Sequence, residues 1–427
     1  MNYFKTILTS VVCSFAMTSM AQKYVGGDIS LLPTYEEHGA NYMTEDGTSI
    51  KDMLGFFAEQ GWNAMRVRLF VDPSKASAAH KGQGVRQDLE YVTQLGKRLK
   101  AYGFKFMLDF HYSDTWTDPG QHSTPSAWNS TDPEKLSDYL YHYPIDCLNT
   151  LKAAGATPDF IQPGNEITYG MLWPTGHCYP DGGSYSGGTF DNFAKYLQSG
   201  IKACREVCPE TKIVIQTELS KEQNVTNFYT TLSKYTNDYA VIGISYYPYF
   251  HGPLATLEKV LKTLEETYPD KKIEIVETGY YHKWYPNNAT YNLKTTWPDT
   301  NEGQRKFTAD LIEMLNKHQS VDGLYWWFPE ANEYGLDWST KRVTDDWYNA
   351  SLWDNETGRA LPAIKELKNF RSNDSAIKEV RDERQESGSE KQDGIIYDLQ
   401  GRKVADNTSL SSLRQGIYIY NGKKIKK

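Results

Sequence analysis

Two apolar runs in this chain end in a glutamate. One is Phe160-Ile-Gln-Pro-Gly-Asn-Glu166, the other Lys272-Ile-Glu-Ile-Val-Glu277. A run that reads as a buried strand has no ordinary use for a carboxylate at its end, because an unpaired buried charge is strongly disfavoured. Two carboxyl groups facing each other across one cleft do have a use. Cleavage of a glycosidic bond with retention takes such a pair about 5–5.5 Å apart, one giving a proton to the leaving oxygen and the other attacking the anomeric carbon. We read Glu166 as the acid/base and Glu277 as the nucleophile. Those roles require Glu166 protonated and Glu277 ionised near neutral pH.

Side chains in such a pair need elements to hold them. Eight short β-rich runs occur, at 24–28, 63–69, 104–111, 160–162, 212–216, 240–247, 273–277 and 323–328. Amphipathic helical patterns lie between them, at 49–60, 89–102, 133–154, 191–207, 254–268 and 303–318. Gly61, Gly103, Gly155, Pro209 and Pro269 close five of these, which is the expected stop chemistry. Helix and strand alternating in this way predict a parallel sheet, and eight repeats predict an α/β (β/α)8 TIM barrel. An open doubly wound sheet would want a glycine-rich phosphate loop after its first strand, and Gly26-Gly27-Asp28 does not fit that pattern. The barrel would span 22–370, more than the roughly 250 residues typical of the fold, so some βα loops must be long. They follow strands three (112–130), four (167–189), seven (278–300) and eight (329–360), and are rich in Trp, Tyr, Asp and Asn.

Polar residues end other strands too. Arg66 and Arg68 are two apart on one strand and so share a face. A guanidinium beside Glu277 would keep it ionised. Arg68 lies nearer the mouth and is the favoured partner, whereas Arg66 reads equally as an ion pair low in the barrel. Asn165 is placed to bind a sugar 2-hydroxyl. His111 ends strand three, with a core histidine as its plain alternative. Tyr246 or Tyr247, ending strand six, would hold the nucleophile's oxygen. Trp327 offers a floor for the sugar ring, while Trp326 or Trp327 belongs to the core. Glu218, ending strand five, is a rival carboxylate.

Composition agrees with a sugar-handling protein. The 427 residues carry a net charge of -8, with 39% hydrophobic residues, 31 Tyr and 11 Trp. Aromatic faces pack on sugar C–H groups. The acidic balance argues against nucleic acid as partner. No run of about 20 apolar residues predicts a membrane span in the mature chain. Residues 1–21 read as a signal peptide: a basic start at Lys5, an apolar stretch from Ile7 to Met17, then Ser19-Met20-Ala21. The protein is thus expected to be exported, whether secreted, periplasmic or on the cell surface. Cys13 sits in a poor match to a lipoprotein box. Cys147, Cys178, Cys204 and Cys208 remain, and the sequence does not choose between free thiols and any of three pairings. Residues 371–393 read as a charged linker, and 394–427 as a short β-rich tail resembling those of exported bacterial proteins, some of which act in sorting.

Taken together, Gly26-Gly-Asp-Ile-Ser-Leu-Leu-Pro, Arg66-Val-Arg-Leu-Phe-Val, Leu108-Asp-Phe-His-Tyr-Ser-Asp-Thr-Trp-Thr-Asp-Pro119, Gln162-Pro-Gly-Asn-Glu-Ile-Thr-Tyr-Gly-Met-Leu-Trp-Pro174, Gly243-Ile-Ser-Tyr-Tyr-Pro248 and Val276-Glu-Thr-Gly resemble the arabinogalactan endo-β-1,4-galactanases, glycoside hydrolase family 53. The resemblance runs from about residue 24 to 368. It implies retaining endo-hydrolysis of β-1,4-galactan, the backbone of pectic type I arabinogalactan, with Glu166 as donor and Glu277 as nucleophile. It also implies that Asp114, Trp116 and Asp118 line the substrate groove. No cofactor is implied. Some bacterial members carry calcium in the loop after strand seven, but here that loop reads Tyr280-Tyr-His-Lys-Trp-Tyr-Pro-Asn-Asn, without their aspartates. Asn287, Asn288 and Asp299 are the hard oxygen donors a different calcium site would draw on. The loop after strand eight, with Trp338, Asp345, Asp346 and Trp347, departs from the family pattern and leaves product length open. The competing readings are a mannanase or glucanase of the same barrel clan, and a glycan-binding protein without catalysis.

Overall fold

A computed structural model describes residues 22–370, apart from 220, 338, 340–342 and 345–346, and the backbone of four short strands between 395 and 426. Residues 1–21 with Cys13, expected as a signal peptide, residues 371–393, expected as a linker, and Trp338, Asp345 and Asp346 lie outside the described residues. Eight strands close into a barrel in sequence order: β1 (Tyr24–Asp28), β2 (Ala64–Leu69), β3 (Lys105–Phe110), β4 (Phe160–Pro163), β5 (Lys212–Glu218), β6 (Val241–Tyr246), β7 (Lys272–Thr278) and β8 (Val321–Trp327). Every neighbouring pair is parallel, and β1 pairs with both β2 and β8 to complete the ring. The chain divides into two compact units, Met1–Ser372 and Asn373–Lys427. In the second, β9 (Ile395–Tyr397), β10 (Lys403–Asp406), β11 (Ile417–Tyr420) and β12 (Lys423–Lys426) form an antiparallel sheet in the order β10-β9-β11-β12.

Local chemistry sets the helix ends. The helix expected from Ser49 begins at Met53, because Asp52 accepts from the Gly55 amide at 3.0 Å and so takes the N-cap place. Asp88 caps Leu89–Ala101 in the same way through Tyr91 N. Each such cap is worth about 1 kcal/mol. Leu32–His38, Ala78–Gly82, Pro248–His251 and Ala363–Glu366 are short additions to the expected helices, and the longest helix outside the expected spans is Glu222–Leu232 between β5 and β6. It has no side-chain cap and runs into Ser233 rather than Gly or Pro. Its apolar stripe Val225, Phe228, Tyr229, Leu232 has the i, i+3, i+4, i+7 spacing that carries it.

The barrel interior is layered. Tyr24, Ala64, Met107, Phe160, Val214, Val241, Val276 and Tyr325, one from each strand, form a buried apolar plug. Side chains two or four residues further along a strand return to the same side, and there the interior turns polar: Asp28, Arg66, Asp109, Gln162, Gln216 and Ser245 are all buried, and a register irregularity at Val276 brings Glu277 opposite Ser245 in the same layer. The closed end beneath the plug also holds charge. Glu274 is fully buried with neither carboxylate oxygen hydrogen-bonded, and Asp322 beside it is 3% exposed. Lys212 lies over the rings of Tyr24 and Phe160, at 5.2 and 5.3 Å from their centroids. Burial, reinforced by Asp322 and opposed by Lys212, pushes Glu274 well above the usual carboxylate range. Burial pushes Asp322 up to about 6, against Lys212, Lys272 and Lys23.

These raised groups fold best protonated. Their stabilisation is complete below the unfolded carboxylate pKa, about 4, and is lost as pH rises through the folded values. Glu274→Gln should therefore melt a few degrees above the wild type at pH 8, and this advantage should vanish at pH 4. Calorimetric melts at the two pH values test this, and an equal shift at both would exclude a protonation origin.

Candidate active site

The mouth of the barrel opens into a cleft of about 650 Å³. Glu166 and Glu277 both line it, with Trp116, Asn165, Tyr247 and Trp327 among its other walls. Glu166 reaches the cleft because the chain reverses sharply after β4. Gly164 adopts φ +114°, where a side chain would be strained and a Cβ would sit 2.7 Å from Ile167. Glu166 itself is left-handed at φ 46° and ψ 51°, a conformation disfavoured for a residue with a Cβ and retained where function fixes it. Its amide donates to Gln216 Oε1 at 3.1 Å, which anchors the turn to β5.

Glu277 sits in a cage of donors. Gln216 Nε2 donates to Oε1 at 2.8 Å, Arg66 Nη2 lies 3.0 Å from the same oxygen, and Tyr247 OH donates to Oε2 at 3.0 Å. Burial raises its pKa, but the Arg66 cation and the Gln216 hydrogen bond oppose that rise. Glu166 is pushed well above the usual range, first by burial, then by Glu277, with Glu218 and Asp118 adding to it and a Ser245 hydrogen bond opposing. Burial and neighbouring carboxylates thus favour the proton on Glu166, while Arg66 and Gln216 favour the charge on Glu277.

Arg66 holds the constellation together. It is fully buried. Its Nη1 donates to Asp28 at 2.8 Å, and its Nη2 to Asp109 at 2.8 Å and Asn165 Oδ1 at 2.7 Å. Arg66, rather than the expected Arg68, is therefore the partner of Glu277. Arg68 pairs with Asp28 at 2.6 Å and lies 4.8 Å from the Trp327 ring and 4.7 Å from Trp116. The extra two residues carry it past the nucleophile to brace the aromatic walls.

Three further assignments change. Tyr246 faces outward and donates to Gly252 O at 2.8 Å, while its neighbour Tyr247 faces the cleft, as strand alternation dictates. Asp114 does not line the cleft: it accepts from the backbone of Asp72 (3.1 Å) and Ser126 (2.8 Å), and so ties two loops. His111 is buried behind the wall, kept neutral by burial. Its Nδ1 accepts from Thr117 N at 3.0 Å, Nε2 lies 3.2 Å from Asp109, and Thr117 O in turn accepts from Asn165 Nδ2 at 2.6 Å. His111 thus positions Asn165 rather than meeting a ligand. Trp116, Asp118, Asn165 and Trp327 do line the cleft, while Trp326 is in the core, its indole donating to Ala350 O at 2.8 Å.

Gln162 and Gln216 were missed in the sequence. Gln162 Nε2 bridges Asp109 (2.6 Å) and Gln216 (2.5 Å), and Gln216 links both glutamates. The available signal was positional: each follows an apolar interior residue, Phe160 or Val214, by two. Among the described residues no group of three or more His, Cys, Asp or Glu is arranged to hold a metal. Asp299 pairs with Lys294 at 3.2 Å, and Asn288 lines the cleft. All four described cysteines are buried and free.

Tyr247→Phe removes a donor to Glu277 without opening a cavity. The expected result is a kcat lower by about 10- to 100-fold with unchanged melting, because one hydrogen bond to a charged group is worth about 1.5–3 kcal/mol. Steady-state kinetics with a parallel melt check it, and a normal kcat would show that this contact is idle in the reaction.

The family model Glycosyl hydrolase family 53 matches residues 24–367. A Niallia circulans protein from the bgaB 5′ region is 33% identical over 361 residues, 81% of this chain and 93% of that one. The arabinogalactan endo-beta-1,4-galactanase A of Aspergillus niger is 32% identical over 327 residues, covering 73% of this chain and 87% of its own length. Among solved structures, the Ignisphaera aggregans GH53 catalytic domain superposes with a TM-score of 0.72 at 31% identity, covering 83% of this chain and 98% of its own. A structure of fungal beta-1,4-galactanases gives 0.67 at 27% identity, over 82% of this chain and 99% of that one.

Proposed function

We propose, from the premise that this chain belongs to glycosyl hydrolase family 53 and is a glycoside hydrolase, that it cleaves β-1,4-galactan internally with retention of configuration. The observation that carries the mechanism is the asymmetry between the two glutamates. Glu277 has Arg66, Gln216 and Tyr247 on its oxygens, and Glu166 has burial and neighbouring carboxylates. The substrate class rests on the galactanases to which the chain is similar.

In the first step the Glu277 carboxylate attacks the anomeric carbon, the bond to the leaving oxygen breaks, and Glu166 delivers its proton to that oxygen. In the second, the Glu166 carboxylate takes a proton from water as the water attacks the same carbon and frees Glu277. Two inversions leave the product β. Asn165, whose Nδ2 carries one N–H beyond that given to Thr117, meets the 2-hydroxyl. Trp327 forms the floor. No cofactor enters. As an exported protein it would meet this polymer outside the cytoplasm.

Purified protein should release sugars from galactan and none from carboxymethylcellulose or galactomannan, with β anomer first in the NMR spectrum. Sugar release only from the other two polymers would sink the substrate assignment, and initial α product would sink the role of Glu277. The pH profile should be bell-shaped, with activity lost at low pH as Glu277 takes a proton and at high pH as Glu166 gives one up. Burial raises both groups, so both limbs should lie above the ordinary carboxylate range.

A further inference from the structure

A line of rings leads away from the cleft, starting at His122 in the loop after β3 and continuing along the loop that follows Glu166. His122 Nε2 lies 3.3 Å from the Glu166 carbonyl oxygen. From there His122 meets Trp173 at 5.5 Å, Trp173 stacks on His177 at 3.5 Å, His177 meets Tyr185 at 3.7 Å, and Tyr185 meets Tyr179 at 4.9 Å, all between ring centroids. The last two are exposed, Tyr179 by 43% and Tyr185 by 36%. Large rings left open to water on a rigid support call for an explanation.

The support is built with care for its shape. Bridges Gly170↔His177, Cys178↔Ser184 and Tyr185↔Gly188 fold the segment back on itself. A Cβ at Gly170 would lie 1.9 Å from Gly176 O, and one at Gly176 would lie 2.1 Å from Met171 O, so the two passes of chain touch backbone to backbone. The rings are held in place before any ligand arrives, which lowers the entropy lost on binding. Tyr169 connects this surface to the cleft. Its carbonyl accepts from Trp173 Nε1 and from the Cys178 amide, each at 3.1 Å, and the hydroxyl of its neighbour Thr168 accepts from the amide of Glu218, a cleft residue, at 3.2 Å.

We propose that Tyr179 and Tyr185 form an outlying sugar-stacking platform for galactosyl units on the leaving-group side of the scissile bond. The inference rests on the functional reading above, in which Glu166 protonates the leaving oxygen. The leaving half of the polymer then lies against Glu166 and its own loop, and its continuation passes Glu218 and Tyr169 to the open tyrosines. Polymer C–H faces stack on such rings, and an endo-acting enzyme gains grip on long chains from them.

The test compares galactan with an aryl β-galactobioside, whose leaving group ends before the platform. The double variant Tyr179→Ala/Tyr185→Ala should lower the galactan-to-aryl ratio of kcat/KM by about tenfold, the loss of aromatic packing at one or two rings. Tyr179→Phe/Tyr185→Phe keeps the ring faces and should hold the ratio within about twofold of the wild type. An unchanged ratio in the Ala variant, equal losses on both substrates, or a Phe variant as impaired as the Ala variant would overturn the platform. If the wild type cuts a polymer other than galactan, the substrate reading fails by itself, and the same ratio measured on that polymer still decides the platform.

Discussion

The Glu277→Gln enzyme is expected to fold and to lose catalysis by about 10⁴-fold or more, the scale seen when an essential nucleophile is removed. The amide has nearly the shape of the carboxylate and its oxygen can still accept from Gln216 or Tyr247. It cannot form the covalent sugar ester. Binding of galactan should survive, so affinity electrophoresis and kinetics on one preparation separate the two effects. Mass spectrometry of wild type slowed with a 2-fluoro glycoside should find the sugar on the peptide carrying Glu277. Residual activity above about 1%, or label on another peptide, would transfer the role elsewhere. Glu166→Gln should differ in kind, with a loss of about 10²–10⁴-fold that shrinks on aryl substrates, because their leaving groups need less protonation.

Arg66→Met has the larger effect on stability. The guanidinium neutralises Asp28, Asp109 and Glu277 at 2.8, 2.8 and 3.0 Å, all of them buried. Removing one partner of a buried ion pair costs about 3–5 kcal/mol, since the remaining charge has no solvent. Activity should fall with it, as Glu277 loses the cation that keeps it ionised. The pH dependence has a definite sign. Burial drives Asp109 up, yet Arg66 and His111 hold it below the usual range, so its stabilisation is present at neutral pH and lost in acid. Without Arg66 the carboxylates are relieved by taking protons. The deficit of the variant should thus be larger at pH 8 than at pH 5 in urea melts. A deficit equal at both would mean that packing, not charge, is what Arg66 supplies.

The barrel was legible because its signals are local. Eight apolar runs and the glycine or proline after most helices mark the alternation, and Glu166 and Glu277 stand out as charges where apolar runs stop. What the sequence hid depends on depth. Arg66 and Arg68 share a face, and only the three-dimensional stagger of the strands decides which of them meets β7. Tyr246 and Tyr247 are alike as residues, and their roles separate only through the pleat. Asp114 and Asp118 sit in one polar loop, yet Asp114 is consumed by backbone amides while Asp118 reaches the cleft wall. Gln162 and Gln216 escaped notice because a neutral amide inside a strand looks unremarkable until its neighbours prove to be ionised.

The division of charge around the polar layer bears on how such a barrel can be assembled from fragments. Both of its cations, Arg66 and Arg68, come from β2, with Asp28 and Asp109 beside them on β1 and β3. Among the described residues, the second half of the chain brings Glu277 to this layer, and the cation beside it, Arg66, comes from the first half. A polypeptide cut between β4 and β5 would therefore yield one half that is close to self-neutral and another in which Glu277 is parted from its cation. Recombining half-barrels from different parents should succeed only when the donor of the first half supplies the arginine that the second half lacks.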